Sequence, residues 1–462
     1  MSNYDEIKNN IDYVETVYNM YNVGYPFTIL DMKGDKYPRK YFNNKFNRSN
    51  KSNYGENRVL RIIQNNNEVA QYSNIHGNIF DDEDDETKYQ YFIFHHIDMD
   101  GIFSGAYARE YIRRNFPDRT EMGKDKYISC YSYNYNTNNL KKIIRKIDYD
   151  MENCNNPKKI CFVVDLSLTS EELEIILREF DNVIWIDHHS TSLTVVNNIK
   201  RKEGMTEKFG YIIDTRFCAT YITASYLLFN KNCLKDDEKK EYEDKFVLPI
   251  IVNAYDLYNK DDKKLFEYGL YMNQFVFDKK ILYPNNPIIN INKPYEFVEK
   301  ALKTGKILYD LNTQKNKALY DTNDSYRDEY EFEKLRSKVK VHFEGIVGYG
   351  NSQVFARENI DDENNVDIKI IMHPVENVND AVTFSVYTEN DIYAGADKDQ
   401  INLGKVLATF NVGGGHPKAC GGTVRFKDSE DLKTIYDIYK SAFKKITTYI
   451  KFGCGFEETS NE

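Results

Sequence analysis

Residues 91–101 read YFIFHHIDMDG, an apolar run followed at once by histidine and aspartate side chains. The run at 91–94 predicts a buried strand, and the pattern of residues 102–114 predicts a helix. Open α/β sheets bind ligands at the carboxyl ends of their strands, where the next helix begins. Because alternate residues of an extended segment point the same way, we expect His96, Asp98 and Asp100 to converge on one point.

On the carboxyl side of this segment, short apolar runs alternate with helical patterns, which is typical of a parallel sheet with crossover helices. Buried strands are predicted at residues 160–164, 183–186 and 211–213. Between the first two of these strands a helix is predicted over residues 169–180, with Ser170 as its N-cap. The fold class is therefore α/β, with an N-terminal, doubly wound, mainly parallel sheet.

The chain has 462 residues, which is too many for one ordinary core. An acidic run at 81–86 indicates a linker, and residues 235–244 are so charged that they must face water. Strands are predicted again at 367–372 and 381–387, and helices at 401–410 and 429–450. We predict an accessory region at 1–87, a catalytic domain at 88–275, a helical connector at 276–340, a smaller C-terminal α/β domain at 341–452 and a tail at 453–462.

Composition excludes several classes of protein. A net charge of −10 and a pI near 5.5 argue against a protein that coats long nucleic acid through bulk electrostatics. The seven cysteines form no CxxC pair, which fits a reducing compartment. No apolar stretch approaches the roughly 18 residues that a membrane span needs. We therefore expect a soluble, cytoplasmic protein without a membrane partner.

Three further acidic or histidine-rich elements follow predicted strands or lie in apolar segments. Asp165 ends the second strand; a lone aspartate there is more often a turn or cap residue. The triplet Asp187-His188-His189 ends the third strand, and packing alone does not explain adjacent histidines in that place. Asp256 lies in a mostly apolar segment, where an unpaired carboxylate costs several kcal/mol unless it is neutralised or binds a cation.

These side chains together indicate a metal site. Mixed histidine nitrogens and carboxylate oxygens suit Mn²⁺ best and Mg²⁺, Co²⁺ or Zn²⁺ less well. The supply of carboxylates, Asp98, Asp100, Asp165 and Asp256, is too large for one open catalytic ion. Two divalent cations about 3.5–4 Å apart that share one carboxylate would use them all.

A glycine cluster lies far downstream, in the sequence NVGGGHPKACGG. Its residues Gly413, Gly414 and Gly415 either form a tight turn or allow backbone amides to approach an anion. His416 and Lys418 add donors, and the histidine directly after the glycines favours a substrate-binding role.

In this order the elements HHIDMDG, FVVDLSL, WIDHHS, NAYDLY and VGGGHPKACGG resemble the DHH phosphoesterase superfamily, over about residues 90–450. Within it the sequence looks most like the oligoribonuclease and cyclic-nucleotide phosphodiesterase branch. The resemblance implies one ion held by His96, Asp98 and Asp165. It implies a second ion held by Asp100, Asp165, His188 and Asp256, with Asp165 as the bridge.

The same resemblance implies the remaining roles. His189 would lie beside the scissile phosphate, and Asp187 would orient the histidines. His95 has no family role and is expected to be structural. His416 and its glycines would grip the substrate from the second domain, so that the active site is an interdomain cleft. The segment at 1–87 and the long, lysine-rich segment at about 230–340 depart from the family pattern.

Three functions stay open at this stage. The first is hydrolysis of short oligonucleotides or dinucleotides, linear or cyclic, or of pAp, to mononucleotides, by a chain that can form a homodimer. The second is a RecJ-like 5′–3′ exonuclease on single strands. Residues 31–61 favour it, with nine Lys or Arg against three Asp or Glu, a net of +6, among aromatic residues. The third is a catalytically silent nucleotide-binding protein. The complete set of six candidate metal ligands argues against this function, because a protein that only binds nucleotides does not need them.

Overall fold

A computed structural model provides the fold, and it divides the chain into two compact units, residues 1–306 and 307–462. Within the described residues no helix is long and apolar enough to cross a membrane. The structure describes residues 60–64, 67–72, 89–115, 127–133, 137–151, 157–199, 208–228, 246–257, 263–322, 326–334, 337–347, 367–373, 381–388, 393–394, 399–400, 402–415, 418–426 and 434–453.

The first unit is built on a seven-stranded sheet with the order β1-β2-β7-β6-β5-β3-β4. The five strands from β7 to β4 are parallel, as the sequence predicts, and β2 pairs antiparallel with β7. The strands are β1 Leu60–Gln64, β2 Asn67–Tyr72, β3 Tyr89–His95, β4 Ile128–Ser132, β5 Lys158–Val164, β6 Asn182–Asp187 and β7 Phe209–Asp214. Because β4 lies on one side of β3 and β5 on the other, the strand order reverses at β3, which is where such sheets bind ligands.

Helices cover both faces of this sheet. The helices of the first unit are α1 Met99–Asn115, α2 Thr137–Met151, α3 Ser170–Glu179, α4 Ser190–Ile199, α5 Ala219–Thr223, α6 Val247–Asp256 and α7 Lys263–Asp278; α8 Pro294–Thr322 contains the boundary between the units. A π-helical turn, Ala224–Leu228, continues α5. Side chains of α1 and α5 pack on one face, and side chains of α2, α3 and α4 on the other. The doubly wound α/β class is therefore confirmed.

The sequence misses two features of this sheet. Strands β1 and β2 lie inside the segment at 1–87 that the sequence assigns to an accessory region, yet they extend the sheet as an antiparallel hairpin. Ser170 is not the N-cap of α3. Thr169 is the N-cap, because its hydroxyl accepts from the Glu172 amide at 3.2 Å and its own amide donates to Glu172 Oε2 at 2.9 Å. This reciprocal pair is a capping box, which Ser170 cannot form from inside the helix.

The second unit holds a six-stranded sheet with the order β14-β15-β11-β10-β9-β8 and a separate strand pair, β12 with β13. Its strands are β8 Tyr326–Lys334, β9 Ser337–Val347, β10 Ile368–His373, β11 Ala381–Tyr387, β12 Tyr393–Ala394, β13 Asp399–Gln400, β14 Gly413–Gly415 and β15 Ala419–Arg425, and its helices are α9 Leu403–Thr409 and α10 Ile435–Gly453. The pairing of β9 with β10 is parallel and the others are antiparallel. Strand structure begins at Tyr326, earlier than the predicted residue 341, so the connector is not helical throughout.

Candidate metal centre

The predicted ligands gather at the carboxyl edge of the first sheet. His96 and Asp98 follow β3, Asp165 follows β5, and His188 follows β6. In parallel strands these ends meet at one edge, so segments far apart in sequence reach the same place. Three overlapping groups of donor atoms lie there, and within each group the atoms are within 4.8 Å of one another.

The first group contains His96, Asp98 and Asp165. His96 Nδ1 is 2.7 Å from Asp98 Oδ2, and the Gly101 amide donates to Asp98 Oδ1 at 2.9 Å. Gly101 permits this compact loop, because a Cβ at this position would lie 2.5 Å from the His96 carbonyl oxygen. The HHIDMDG sequence therefore folds as a tight loop that presents one nitrogen and carboxylate oxygens.

The second group contains Asp100, His188 and Asp256, all buried or nearly so. His188 Nε2 lies 3.7 Å from Asp100 Oδ2 and 3.6 Å from Asp256 Oδ2. It is also 3.2 Å from Asp165 Oδ1, which belongs to the first group. The third group, Asp165 with Asp187, His188 and His189, shares Asp165 with the first group and His188 with the second, so the structure brings all six predicted ligands together.

Charge in this cluster is not balanced by the protein. Burial, and then the neighbouring Asp100 and Asp98, raise the pKa of Asp165 well above its ordinary value. The pKa of Asp256 is raised well above its ordinary value by burial and the same two neighbours. Asp256 Oδ2 is buried without a hydrogen-bond partner. An unpartnered oxygen among crowded carboxylates and imidazole nitrogens fits divalent cations.

Asp165 has an unusual backbone. Its φ is 54°, in the left-handed region, where aspartate and asparagine are tolerated better than most residues. Its amide donates to the Ile186 carbonyl at 3.0 Å, which ties the turn after β5 to the end of β6. Both interpretations of the sequence hold for Asp165. It occupies a turn after β5, and its carboxylate lies 3.2 Å from His188 Nε2 in the ligand cluster.

Asp100 has partners that the sequence does not reveal. Its carboxylate oxygens accept from the backbone amides of Ala219 at 2.8 Å and Thr220 at 2.7 Å, and Thr220 Oγ1 donates to the Asp100 carbonyl at 2.8 Å. The first turn of α5 is thereby fixed on the first turn of α1. Asn253 acts similarly, since its Oδ1 accepts from the Cys218 amide at 2.8 Å. No local signal could have found these contacts, because they join segments far apart in the sequence.

The two residues predicted as catalytic form a chain of hydrogen bonds. Asp187 Oδ1 is 2.7 Å from His189 Nδ1, and the Ser192 hydroxyl donates to Asp187 Oδ2. Burial opposes ionisation of Asp187, but His189, His188 and Ser192 hold the pKa of Asp187 below its ordinary value. A charged Asp187 favours the His189 tautomer with the proton on Nδ1. Sequence reasoning missed Ser192, which stands one turn after His189 in α4.

His95 is separate from the ligand groups. It is fully buried, and Nδ1 lies 2.7 Å from the His96 carbonyl oxygen. Burial is the main cause that lowers the pKa of His95 to about 4. Its ring meets the Tyr283 ring edge to face, with centroids 6.1 Å apart. This placement agrees with a structural role for His95 on the side of the sheet that α1 covers.

The glycine cluster lies in the second unit. Gly413 and Gly415 have structural reasons to be glycine: a Cβ on Gly413 would lie 2.0 Å from the Gly421 carbonyl oxygen, and Gly415 has φ of 132°. At Gly414 no heavy atom lies within 4 Å of the Cβ position, so space is open beside it. The Lys418 carbonyl accepts from the Thr388 amide at 3.0 Å. His416 is outside the described residues, and a substrate-binding role for this cluster stays a prediction.

Comparisons with known proteins give only distant likenesses. No protein-family model matches the chain, and no curated protein matches it. Among solved structures, an uncharacterized protein from Helicobacter pylori is 18% identical, with a TM-score of 0.30, 78% of this chain and 99% of that chain covered. The DHH domain of a member of a family of ribosomal proteins is 14% identical, with a TM-score of 0.47 and coverage of 77% and 87%.

A third similar structure is RecJ in complex with Mn²⁺ from Thermus thermophilus, which is 11% identical, with a TM-score of 0.39. The alignment covers 80% of this chain and 52% of that one. Because all three TM-scores are below 0.5, these likenesses do not by themselves identify the family or the activity of this chain.

Proposed function

We propose that this chain is a metal-dependent phosphodiesterase that hydrolyses short oligonucleotides or dinucleotides to mononucleotides. One observation carries the proposal: six buried or half-buried candidate ligands form two adjacent groups, which are joined where Asp165 Oδ1 lies 3.2 Å from His188 Nε2. Two-metal sites of this kind serve phosphoryl transfer. A protein that only bound nucleotides would have no use for so many crowded carboxylates, since their repulsion destabilises the fold without cations.

The ligand assignment follows the two groups. His96, Asp98 and Asp165 would hold one cation, and Asp100, His188 and Asp256 the other, with Asp165 shared. Two such cations, when bound, supply a water of lowered pKa and positive charge for the phosphate oxygens. Mn²⁺ is the ion that mixed nitrogen and oxygen donors favour here, with Mg²⁺ or Co²⁺ as alternatives.

The residues of the chain itself would orient the substrate and move a proton. Asp187 accepts the Nδ1 proton of His189 and would stabilise the ring when a second proton is on Nε2; that Nε2 proton would then pass to the leaving oxygen. Ser192 holds Asp187 from its other oxygen. In the same proposal Gly413–Gly415, His416 and Lys418 bind the substrate, and the acidic charge of the chain disfavours long strands.

The experiment is hydrolysis of the p-nitrophenyl ester of thymidine 5′-phosphate by the full chain. We expect activity with Mn²⁺, loss of activity in EDTA and return of activity when Mn²⁺ is restored. Asp165→Asn should lower turnover by at least about 10³-fold. Asp148→Asn is the matched control, because Asp148 is an exposed aspartate on α2 that pairs with Lys159 at 3.4 Å. Full activity after exhaustive EDTA treatment would refute the proposal.

Product analysis then decides the substrate. Labelled dinucleotides, a cyclic dinucleotide and long single strands of RNA and DNA are compared with the same enzyme. We expect the dinucleotides to give the highest kcat/KM. A preference for the long strands would instead establish a single-strand exonuclease, and binding without hydrolysis of any of them would establish a silent nucleotide-binding protein.

A further inference from the structure

An exposed strip of aromatic, apolar and basic side chains follows helix α7. We call it the aromatic–basic strip and define it as Phe277, Lys279, Lys280, Leu282 and Tyr283. Phe277 is 50% exposed, Leu282 43% and Tyr283 45%. Exposed large apolar residues scattered singly need no explanation, but three so close together form a patch, and such patches mark binding sites.

The backbone of the strip is well ordered by hydrogen bonds. After α7 ends, the Lys280 amide donates to the Phe277 carbonyl at 3.1 Å and the Ile281 amide to the Val276 carbonyl at 3.0 Å. This is the Schellman pattern, in which the residue at the position of Lys280 is usually glycine. Lys280 has φ of 49°, and Ile281 is fully buried and anchors the turn. The chain therefore carries an exposed lysine where glycine would fit with less strain.

The strip lies beside the loop that carries the first ligand group. The Tyr283 ring contacts the ring of His95, the residue directly before the ligand His96. Pro284 packs closely on α1, since a Cβ on Gly105 would lie 2.5 Å from Pro284 Cγ. Ile97, between the two ligands of the loop, is 37% exposed. Tyr283 therefore lies beside the loop that carries the first ligands, within the first unit alone.

The positive charge of the aromatic–basic strip suits an anionic ligand. Lys279 pairs with Asp278 at 2.8 Å. Lys280 is exposed, and the described part of the chain gives it no ion-pair partner. The helix dipole favours its cation at the carboxyl end of α7, which offsets part of the left-handed strain. Basic side chains next to exposed aromatic rings are the combination that binds single-stranded nucleic acid.

We propose that the aromatic–basic strip binds the substrate strand next to the cleaved bond, with one nucleobase stacked on Tyr283 and a neighbouring phosphate paired with Lys280. The inference rests on the proposed function, because the metal centre supplies the reason for a nucleotide at this edge. It adds a base-binding subsite in the first unit, separate from the glycine cluster of the second.

The test measures KM and kcat for a five-nucleotide RNA with Mn²⁺. Tyr283→Ala should raise KM roughly 5- to 100-fold, the value of one base stacked on an aromatic ring, with little change in kcat. Tyr283→Phe should restore KM, whereas Tyr283→Leu should not, because leucine keeps apolar area but offers no aromatic face. Tyr149→Ala is the matched control, since Tyr149 is 74% exposed on α2.

Lys280→Gly separates binding from stability. Glycine relieves the left-handed strain, so the melting temperature should stay the same or rise, while KM increases and its salt dependence weakens. An unchanged KM in both Tyr283→Ala and Lys280→Gly overturns the inference. Rescue by Tyr283→Leu as complete as that by Tyr283→Phe also overturns it, because apolar area without an aromatic face would then suffice.

Failure of the proposed function gives a different result. In that case the wild-type chain hydrolyses no phosphodiester, and the strip is tested by fluorescence anisotropy with the same labelled RNA. A Kd that rises in Tyr283→Ala and recovers in Tyr283→Phe supports the strip even then, and a Kd equal in all variants overturns it.

Discussion

Replacing Asp165 by asparagine should make the metal-free protein more stable while it abolishes catalysis. Asparagine is the right replacement because the residue has φ of 54°, which asparagine tolerates and alanine does not. The change removes one negative charge and little else. It therefore tests whether the crowded carboxylates serve cations or serve the fold.

The magnitude follows from the distances. Donor oxygens of Asp165 lie within 4.8 Å of those of Asp98 and Asp187. At an effective dielectric constant of about 20, two charges at that distance repel by roughly 3.5 kcal/mol. Protonation and His188 relieve part of this repulsion, so we expect a gain of about 1–3 kcal/mol, or roughly 2–6 °C in the melting temperature.

The pH dependence has a definite sign. The pKa of Asp165 is raised in the folded protein, so protonation of its carboxylate stabilises the folded state. This stabilisation is fully present below the unfolded-state pKa of about 3.9 and is lost as pH rises through the folded-state pKa. The advantage of Asp165→Asn should therefore be absent near pH ~4 and grow above it.

The assay is thermal unfolding of wild type and variant in EDTA and in a series of Mn²⁺ concentrations. Wild type should gain about 2.7 kcal/mol per site at roughly 100 times its Kd, and the variant less than half of that. A metal-free variant that is less stable than wild type at mildly alkaline pH, or one that keeps the full Mn²⁺ effect, would contradict the reasoning.

Three further predictions concern other parts of the structure. Ser192→Ala should lower kcat about 10- to 100-fold, because Asp187 loses a hydrogen-bond donor, while the affinity for Mn²⁺ stays nearly unchanged. Steady-state kinetics measures the first effect and titration calorimetry with Mn²⁺ the second. Gly413→Ala should destabilise the protein by about 1–3 kcal/mol, whereas Gly414→Ala, which meets no neighbouring atom, should leave the melting temperature unchanged; a loss of dinucleotide turnover in the latter would then report on binding. Deleting residues 1–87 removes β1 and β2 and uncovers the edge of β7, so soluble yield and turnover should both fall; an equally soluble, active deletion variant would show that the hairpin is dispensable.

Local sequence patterns were enough for the central sheet. The four strands β3, β5, β6 and β7 lie where apolar runs predict them, because a strand buried on both faces must be apolar along its length. The turns that carry the candidate ligands could also be predicted, because polar side chains directly follow each apolar run. The hairpin β1–β2 and the edge strand β4 lack this signal, because polar residues interrupt the apolar ones in their sequences, LRIIQ, NEVAQY and ISCYS.

The sequence by itself determined the fold class, the set of six candidate ligands and the expectation of more than one cation, because these depend on residue types and on neighbours along the chain. Only the tertiary structure decided which candidate ligands lie within reach of one another, that Ala219 and Thr220 hold Asp100, and that Tyr283 lies beside the ligand loop. Those contacts join residues far apart in sequence. They arise from packing of helices on the sheet, which no local pattern of hydrophobicity or charge encodes.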